Sequence, residues 1–290
     1  MYKSKLKPYL YLIPSVSILI LFVYIPLIQN IQFSLYDWNT FSSAKEFIGA
    51  KNYLRLFEDD VFLTAVKNNL LYALISIILQ VGLGLILAAI LEDKIIRKFS
   101  TVFRTVFFIP VLISTTIIGL LFTFIYSPEG MLNQLLTILG LGEFATGWLG
   151  NSKTAIFAVI GVSQWQNIGY IMILFIVAIQ RIPQSLYEAA ELDGASKIKA
   201  FFNVTVPMVK ETMLVSLIIT LSGAFLVFNE IYILTSGGPG NSSTVLGMHL
   251  FNTAFIHGEM GYASTIANFI FILTLTLTLI QMRSFKTGEE

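Results

Sequence analysis

Residues Thr154–Ile179 read TAIFAVIGVSQWQNIGYIMILFIVAI, and no Asp, Glu, Lys or Arg interrupts them. About 20 mostly apolar residues are enough to cross roughly 30 Å of hydrocarbon as a helix. A segment that enters lipid alone must satisfy its backbone internally, so this one is helical. Five further stretches pass the same test: Tyr9–Ile31, Asn69–Leu91, Phe103–Tyr126, Thr212–Leu234 and Tyr262–Met282. The alternating pattern of an outer-membrane barrel is absent. The expectation is an all-α polytopic membrane protein with six transmembrane helices in one domain over residues 1–290.

Composition agrees. Hydrophobic residues make up 56% of the chain and charged residues 12%, against roughly 25% charge in soluble domains. The net charge of +1 implies no polyanionic partner, so nucleic acid is excluded. With no cysteine there is no disulfide, thiolate metal site or Cys nucleophile. His249 and His257 alone do not make a metal cluster, and no metal is expected.

Lys and Arg set the orientation. Of 18 basic residues, 13 fall in one set of ends and loops: Lys3, Lys5, Lys7, Lys94, Arg97, Lys98, Arg104, Arg181, Lys197, Lys199, Lys210, Arg283 and Lys286. The other set holds Lys45, Lys51, Arg55, Lys67 and Lys153. Both termini are therefore expected in the cytoplasm. The first span is too long for a signal peptide and lacks a small-residue cleavage site, so it is expected to be retained.

Several spans carry marked residues. Pro14 and Pro26 suit a kinked packing helix. Gly82, Gly84, Ala88 and Ala89 allow close helix approach. Ser114, Thr115 and Thr116 either bond back to their own helix or line a pore. Gln166 and Asn167, beside Trp165 and Tyr170, are costly in hydrocarbon and face either a polar cavity or a neighbouring helix. Asn229, Glu230 and Asn268 pose the same alternative. On the outer side, Phe47 to Phe57 reads as a short amphipathic helix, with Tyr53, Leu54 and Phe57 on one face.

The thirty polar residues 181–210 between spans four and five are organised. Pro183 stops the span. Ser185 with Glu188 fits a capping box that opens a new helix. Asp193-Gly194 closes it by turn chemistry. A second helix runs from Ser196 to about Asn203 and on to Pro207. Leu186, Tyr187 and Ala190 have no lipid to face there, as in a helix that docks a soluble partner.

Glu188-Ala189-Ala190, three residues, Gly194, nine residues and Val204-Thr205-Val206-Pro207 resemble the loop E-A-A-x3-G-x9-I-x-L-P of permease subunits of binding-protein-dependent ABC importers. Val204 and Val206 replace Ile and Leu and keep their bulk. Leu234-Thr235-Ser236-Gly237-Gly238-Pro239 and Phe47-Ile48-Gly49 with Asn52-Tyr53 are similar to segments of the carbohydrate-uptake, MalF/UgpA-like group. The likeness covers nearly the whole chain. It implies a type I importer permease fold, a second permease subunit, two cytoplasmic ATPase subunits that bind ATP and Mg, and an external solute-binding protein. Glu188, Ala189, Ala190, Asp193, Gly194 and Pro207 would then meet the ATPase.

The chain has no G-x-x-x-x-G-K-[ST], so it does not cradle ATP phosphates itself and is expected to bind no cofactor. It has no Ser/His/Asp cluster, and no enzymatic role is expected. Amides at Gln166, Asn167, Asn229 and Asn268 supply donors and acceptors suited to sugar hydroxyls. A sugar or oligosaccharide is the expected solute. Glycerol-3-phosphate or another polyol is the alternative, weakened by the lack of basic residues in the span interiors, Arg104 standing at the very start of its span. An ion-coupled secondary transporter is less favoured, since neither internal repeat nor midplane ion pair is apparent. The charge asymmetry predicts that reporters fused at the C-terminus and at Gly240 take opposite sides of the membrane. Activity of both on one side would overturn the six-span topology.

Overall fold

The computed structural model describes residues 7–41, 45–93 and 96–285. Lys3, Lys5, Lys94 and Lys286, which entered the charge asymmetry, lie outside them. In chain order the elements are α1 (Tyr11–Phe33), β1 (Tyr36–Trp38), β2 (Lys45–Phe47), α2 (Lys51–Arg55) and α3 (Asp60–Glu92). Next come α4 (Ser100–Leu112), α5 (Thr115–Ile125), α6 (Met131–Ile138), α7 (Ala155–Ile179), α8 (Gln184–Leu192) and α9 (Lys197–Met208). The last are α10 (Lys210–Leu226), α11 (Asn229–Leu234), α12 (Leu246–Ile256) and α13 (Met260–Phe285).

Helices α1, α3, α7 and α13 are each long and apolar enough to cross a membrane alone. The third and fifth expected spans are not continuous, which corrects the six-rod picture. Helices α4 and α5 meet at a 99° bend inside the expected third span, and α9 and α10 meet at 74° just before the expected fifth. The expected fifth span also breaks at Val227 and Phe228 before α11. The first break follows Pro110 and falls at Ser114, which is extended (φ −55°, ψ 133°) and starts α5. A hydroxyl run after a proline favours a helix start over helix continuation. Ser114 therefore neither continues a helix nor bonds back along one.

The described residues form two compact units, those up to 60 with 250–272 and those of 61–249 with 273–285. In the first, α1 leads into an antiparallel hairpin that pairs Tyr36 with Phe47, Asp37 with Glu46 and Trp38 with Lys45. The hairpin replaces the first turn of the amphipathic helix expected from Phe47. Gly49 takes φ +59° to make the corner into α2, a conformation glycine adopts without strain. Asn52 is buried and its Nδ2 donates to the Ser34 and Tyr36 carbonyls, at 3.0 and 3.1 Å. Tyr53 turns inward, while Leu54 and Phe57 are exposed, so the three do not share a face. The Lys45 ammonium lies 4.0 Å from the Trp38 ring centre, a cation–π contact that holds the strand end.

In a regular α-helix the Pro26 ring would clash with the carbonyl four residues back, and that carbonyl lies inside the π-helical turn Ile20–Tyr24. Pro207 stands in the same relation to the π-turn Phe201–Thr205. A widened turn relieves the clash and loses only the hydrogen bond that proline cannot donate.

The second unit is built on the packing of α3 along α7. Val81, Leu85, Ala88 and Leu91 bury against Ile171, Met172, Phe175 and Ile179. Gly84 brings the two backbones close: a β-carbon there would stand 3.4 Å from the Met172 nitrogen. On its other side α7 meets α4 at Gly169, where a β-carbon would lie 1.8 Å from the Phe107 carbonyl oxygen. Gly169→Ala is predicted to force α4 from α7 and to destabilise the protein by about 1–3 kcal/mol, as overpacked sites do. Gly223→Ala, where nothing lies within 4 Å of the added carbon, should be neutral in the same thermal unfolding measurement.

Candidate functional site: the helical pair between α7 and α10

The polar loop folds as two short helices. Pro183 is the N-cap of α8, with extended backbone (ψ 129°) and no side-chain cap bond. Ser185 falls inside the helix, so the expected capping box with Glu188 does not form: the proline sets the boundary first. Helix α8 ends in a Schellman turn. Gly194 sits at φ +74°, its N–H donates to the Glu191 carbonyl at 3.0 Å, and the Ala195 N–H donates to the Ala190 carbonyl at 2.9 Å. Ser196 then caps α9, its Oγ accepting the Lys199 N–H at 3.4 Å. Helix α9 runs through Pro207, and the turn comes at the buried Val209.

One face of this pair is anchored. Tyr187 and Thr205 share a hydrogen bond of 2.9 Å, and Tyr187, Phe201 and Val204 pack on the α3–α7 core. Tyr187 is thus an internal tie, not a free docking residue as expected. Lys197 Nζ pairs with Asp93 Oδ2 at 2.6 Å, beyond the end of α3. The adjacent Glu92 pairs with Arg104 at the start of α4, and Gln180 Nε2 donates to its other oxygen at 3.3 Å. The end of α3 is therefore held by groups at α4, α7 and α9.

The other face is open. Glu188, Ala189, Asp193 and Gly194 are exposed, and Ala190 is half-buried. Glu188 has no ion pair or side-chain hydrogen bond among the described residues. Leu192 is 90% and Ile198 71% exposed, on either side of the Gly194 turn. Two exposed aliphatics flanking a tight turn, with a carboxylate one helical turn away, make a small surface with both apolar and charged features.

The polar residues expected along a path are dispersed. Gln166 is buried, and its Nε2 donates to the Ile113 carbonyl at 3.2 Å, the group released where α4 ends. Asn167 bonds back to Ser163 on its own helix at 3.0 Å. Trp165 and Tyr170 are partly exposed, and Trp165 meets Phe122 with ring centres 5.3 Å apart. Asn229 is exposed, and Glu230 lies in the first turn of α11, where the helix dipole favours an acid. In the first unit Asn268 is 2% exposed, accepts from Asn30 at 2.7 Å and donates to the Tyr53 hydroxyl at 3.1 Å. In this chain its amide is hydrogen-bonded between α13, α1 and α2.

Sequence reasoning passed over two asparagines where the second span begins, Asn69 at its first expected residue and Asn68 just before it. Asn69 donates to the Ala224 carbonyl at 2.6 Å and accepts the Leu246 N–H at 2.8 Å, bridging the end of α10 to α12. Asn68 donates to the Ser242 and Thr244 carbonyls at 2.9 and 2.8 Å, holding the loop that follows Gly237-Gly238-Pro239. Two adjacent amides in an apolar helix were the available signal. Tyr187→Phe is predicted to remove one hydrogen bond worth about 1 kcal/mol without displacing the ring. Backbone hydrogen exchange in residues 184–192 should then quicken several-fold, with the rest of the chain unchanged.

The family model described as "Binding-protein-dependent transport system inner membrane component" matches residues 80–286. The chain is 57% identical to "Probable ABC transporter permease protein YurN" of Bacillus subtilis, over 99% of each chain. It is 32% identical to the "Trehalose/maltose transport system permease protein MalF" of Thermococcus litoralis, over 97% of this chain and 94% of the other. Among solved structures it resembles a chain of a bacterial ABC transporter that imports the acidic polysaccharide alginate. The TM-score is 0.83 at 23% identity, covering 97% of this chain and 96% of that one.

Proposed function

Because this chain belongs to the family of inner-membrane components of binding-protein-dependent transport systems, we propose that it is one of two permease subunits that together form a translocation path for a sugar or oligosaccharide. An external solute-binding protein delivers the solute, and two ATPase subunits on the cytoplasmic side bind ATP and Mg and supply the work. This chain binds no nucleotide and catalyses no reaction. It sits in the cell membrane, with both termini in the cytoplasm, in keeping with the side that carries most Lys and Arg.

The observation that carries this reading is the helical pair α8–α9. Its inner face is hydrogen-bonded and packed onto α3 and α7, and its outer face is unspent. A rigid element of that kind transmits a push. When an ATPase dimer closes against Leu192, Gly194 and Ile198, the load passes through Lys197–Asp93 to the end of α3 and through Glu92 to α4 and α7. Glu188, Ala189, Ala190, Asp193 and Pro207 belong to the same element: the first four shape the face and its turn, and Pro207 shapes α9. The sugar reading draws support from relatives such as the one named for trehalose and maltose. Gln166, Asn167, Trp165, Tyr170, Asn229 and Glu230 stay candidates for the path once a second permease is in place.

Gly194→Asp tests the coupling role. A β-carbon at Gly194 meets nothing within 4 Å in this chain, so the internal cost is the left-handed backbone, about 1 kcal/mol. Membrane insertion should survive. Docking of the ATPase should weaken, cutting ATP-driven uptake by about tenfold, which corresponds to ~1.4 kcal/mol of interface energy. Glu188→Gln leaves the fold untouched, and a fall in sugar imported per ATP would identify its charge as an interface group. Wild-type ATPase binding and uptake in Gly194→Asp would refute the assignment of the loop.

A further inference from the structure

Helix α6 lies between the ends of α5 and α7, outside the site described above, and its side chains divide by direction. Asn133 is 5% exposed and ties the surrounding loop together. Its Nδ2 donates to the Ser127, Pro128 and Thr146 carbonyls, and its Oδ1 accepts the Trp148 indole N–H at 2.8 Å and the Thr146 N–H at 3.3 Å. Opposite it on the helix stand Met131, Leu135 and Ile138, with Leu139 at the C-cap, exposed by 64, 52, 84 and 63%. At 100° per residue these four share one arc about 100° wide. Leu141 and Phe144, in the segment that follows, are also exposed.

Lipid is the occupant that these surroundings favour. Helix α6 starts six residues after α5 ends and is followed by α7, so both neighbours fix it near the end of a span. Tyr126 closes α5, and its ring lies 6.5 Å from that of Trp148. Tyr and Trp collect where hydrocarbon meets headgroups, so the pair marks the depth of the loop. No Lys or Arg occurs from Ser127 to Ser152, which leaves apolar burial as the driving force. The polar edge of the helix, Gln134 and Thr137, is exposed on the side away from Leu139. Such a division of faces belongs to a helix that lies in the interface plane.

We propose that α6 is a lipid-interface helix: its Met131–Leu135–Ile138–Leu139 stripe sinks into the outer leaflet and pins the joint between the third and fourth spans. Which leaflet it enters rests on the orientation proposed above, but burial in lipid does not. The native chain has no cysteine, so single cysteines report cleanly. Leu135→Cys, Ile138→Cys and Thr137→Cys, each with a bimane label, are placed in the assembled importer in nanodiscs that contain acyl-chain doxyl lipid. Quenching at 135 and 138 should exceed that at 137 by about threefold, consistent with 5–10 Å of burial at the acyl boundary. It should not change when the solute-binding protein is added.

Equal quenching at all three positions would overturn the proposal. So would a label at 135 or 138 that is insensitive to lipid and protected only by the binding protein or the second permease, which would make the stripe a protein contact. Photolabelling of the unsubstituted importer with a diazirine lipid, read by peptide mapping, gives the same test should a variant fail to assemble. Labelled peptides covering 131–141 are expected, and their absence overturns the proposal. Sidedness is read separately, from the reaction of Glu129→Cys with an impermeant thiol reagent.

Discussion

Gln166 and Asn69 each spend a side-chain amide on backbone groups that a broken helix has released. Within hydrocarbon an unpaired carbonyl costs several kcal/mol, and irregular backbone survives only where protein supplies the missing partner. The Ile113 carbonyl, at the bend between α4 and α5, receives Gln166. The Ala224 carbonyl, near the end of α10, receives Asn69, which also accepts the Leu246 N–H. Without these two amides the carbonyls of Ile113 and Ala224 would lose a side-chain partner at the breaks of the third and fifth spans. The break at Ile113 and the junction of α10 with α12 draw on these two amides, and the neighbouring Asn68 holds the loop after Pro239.

The two faces of the molecule meet different demands. The end of α3 carries two carboxylates in sequence, and their partners come from α4, from the residue just past α7, and from α9. The Lys197–Asp93 pair is largely exposed on the lysine side and adds little stability, whereas Glu92 is nearly buried in its pair with Arg104. Their value is geometric: Lys197 ties α9 to the end of α3, and Glu92 ties that end to α4. At the other end of the α4–α5 and α7 spans, Asn133 gathers five backbone and side-chain groups into one turn and turns α6 so that its apolar side faces out.

Much of this was legible in advance. Four spans follow from length and apolarity alone, and the ends of α7 agree to within a residue. The Gly194 turn follows from Asp193-Gly194, and the Ser196 start of α9 from local capping chemistry. The capping box at Ser185 was misplaced because Pro183 takes the boundary position first. In the sequence Asn268 leaves open a polar cavity or a neighbouring helix, and Tyr53 reads as a residue of an outer-surface helix. They hydrogen-bond each other across 215 residues of chain, and no local pattern signals such a pair.

What residues 7–285 owe to sequence is what acts over a few residues or through composition: span length, the side on which Lys and Arg collect, helix stops at proline and turns at glycine. These depend on the transfer of side chains into lipid and on backbone sterics, which need no distant neighbour. The tertiary structure decided where a span breaks and whether an amide is spent or free. Gln166 reaches a carbonyl 53 positions earlier in the chain, and Asn30 reaches Asn268 across 238. A polar side chain in an apolar helix must find a partner, but the sequence names the need without naming the group that meets it, since that group is chosen by how the helices pack.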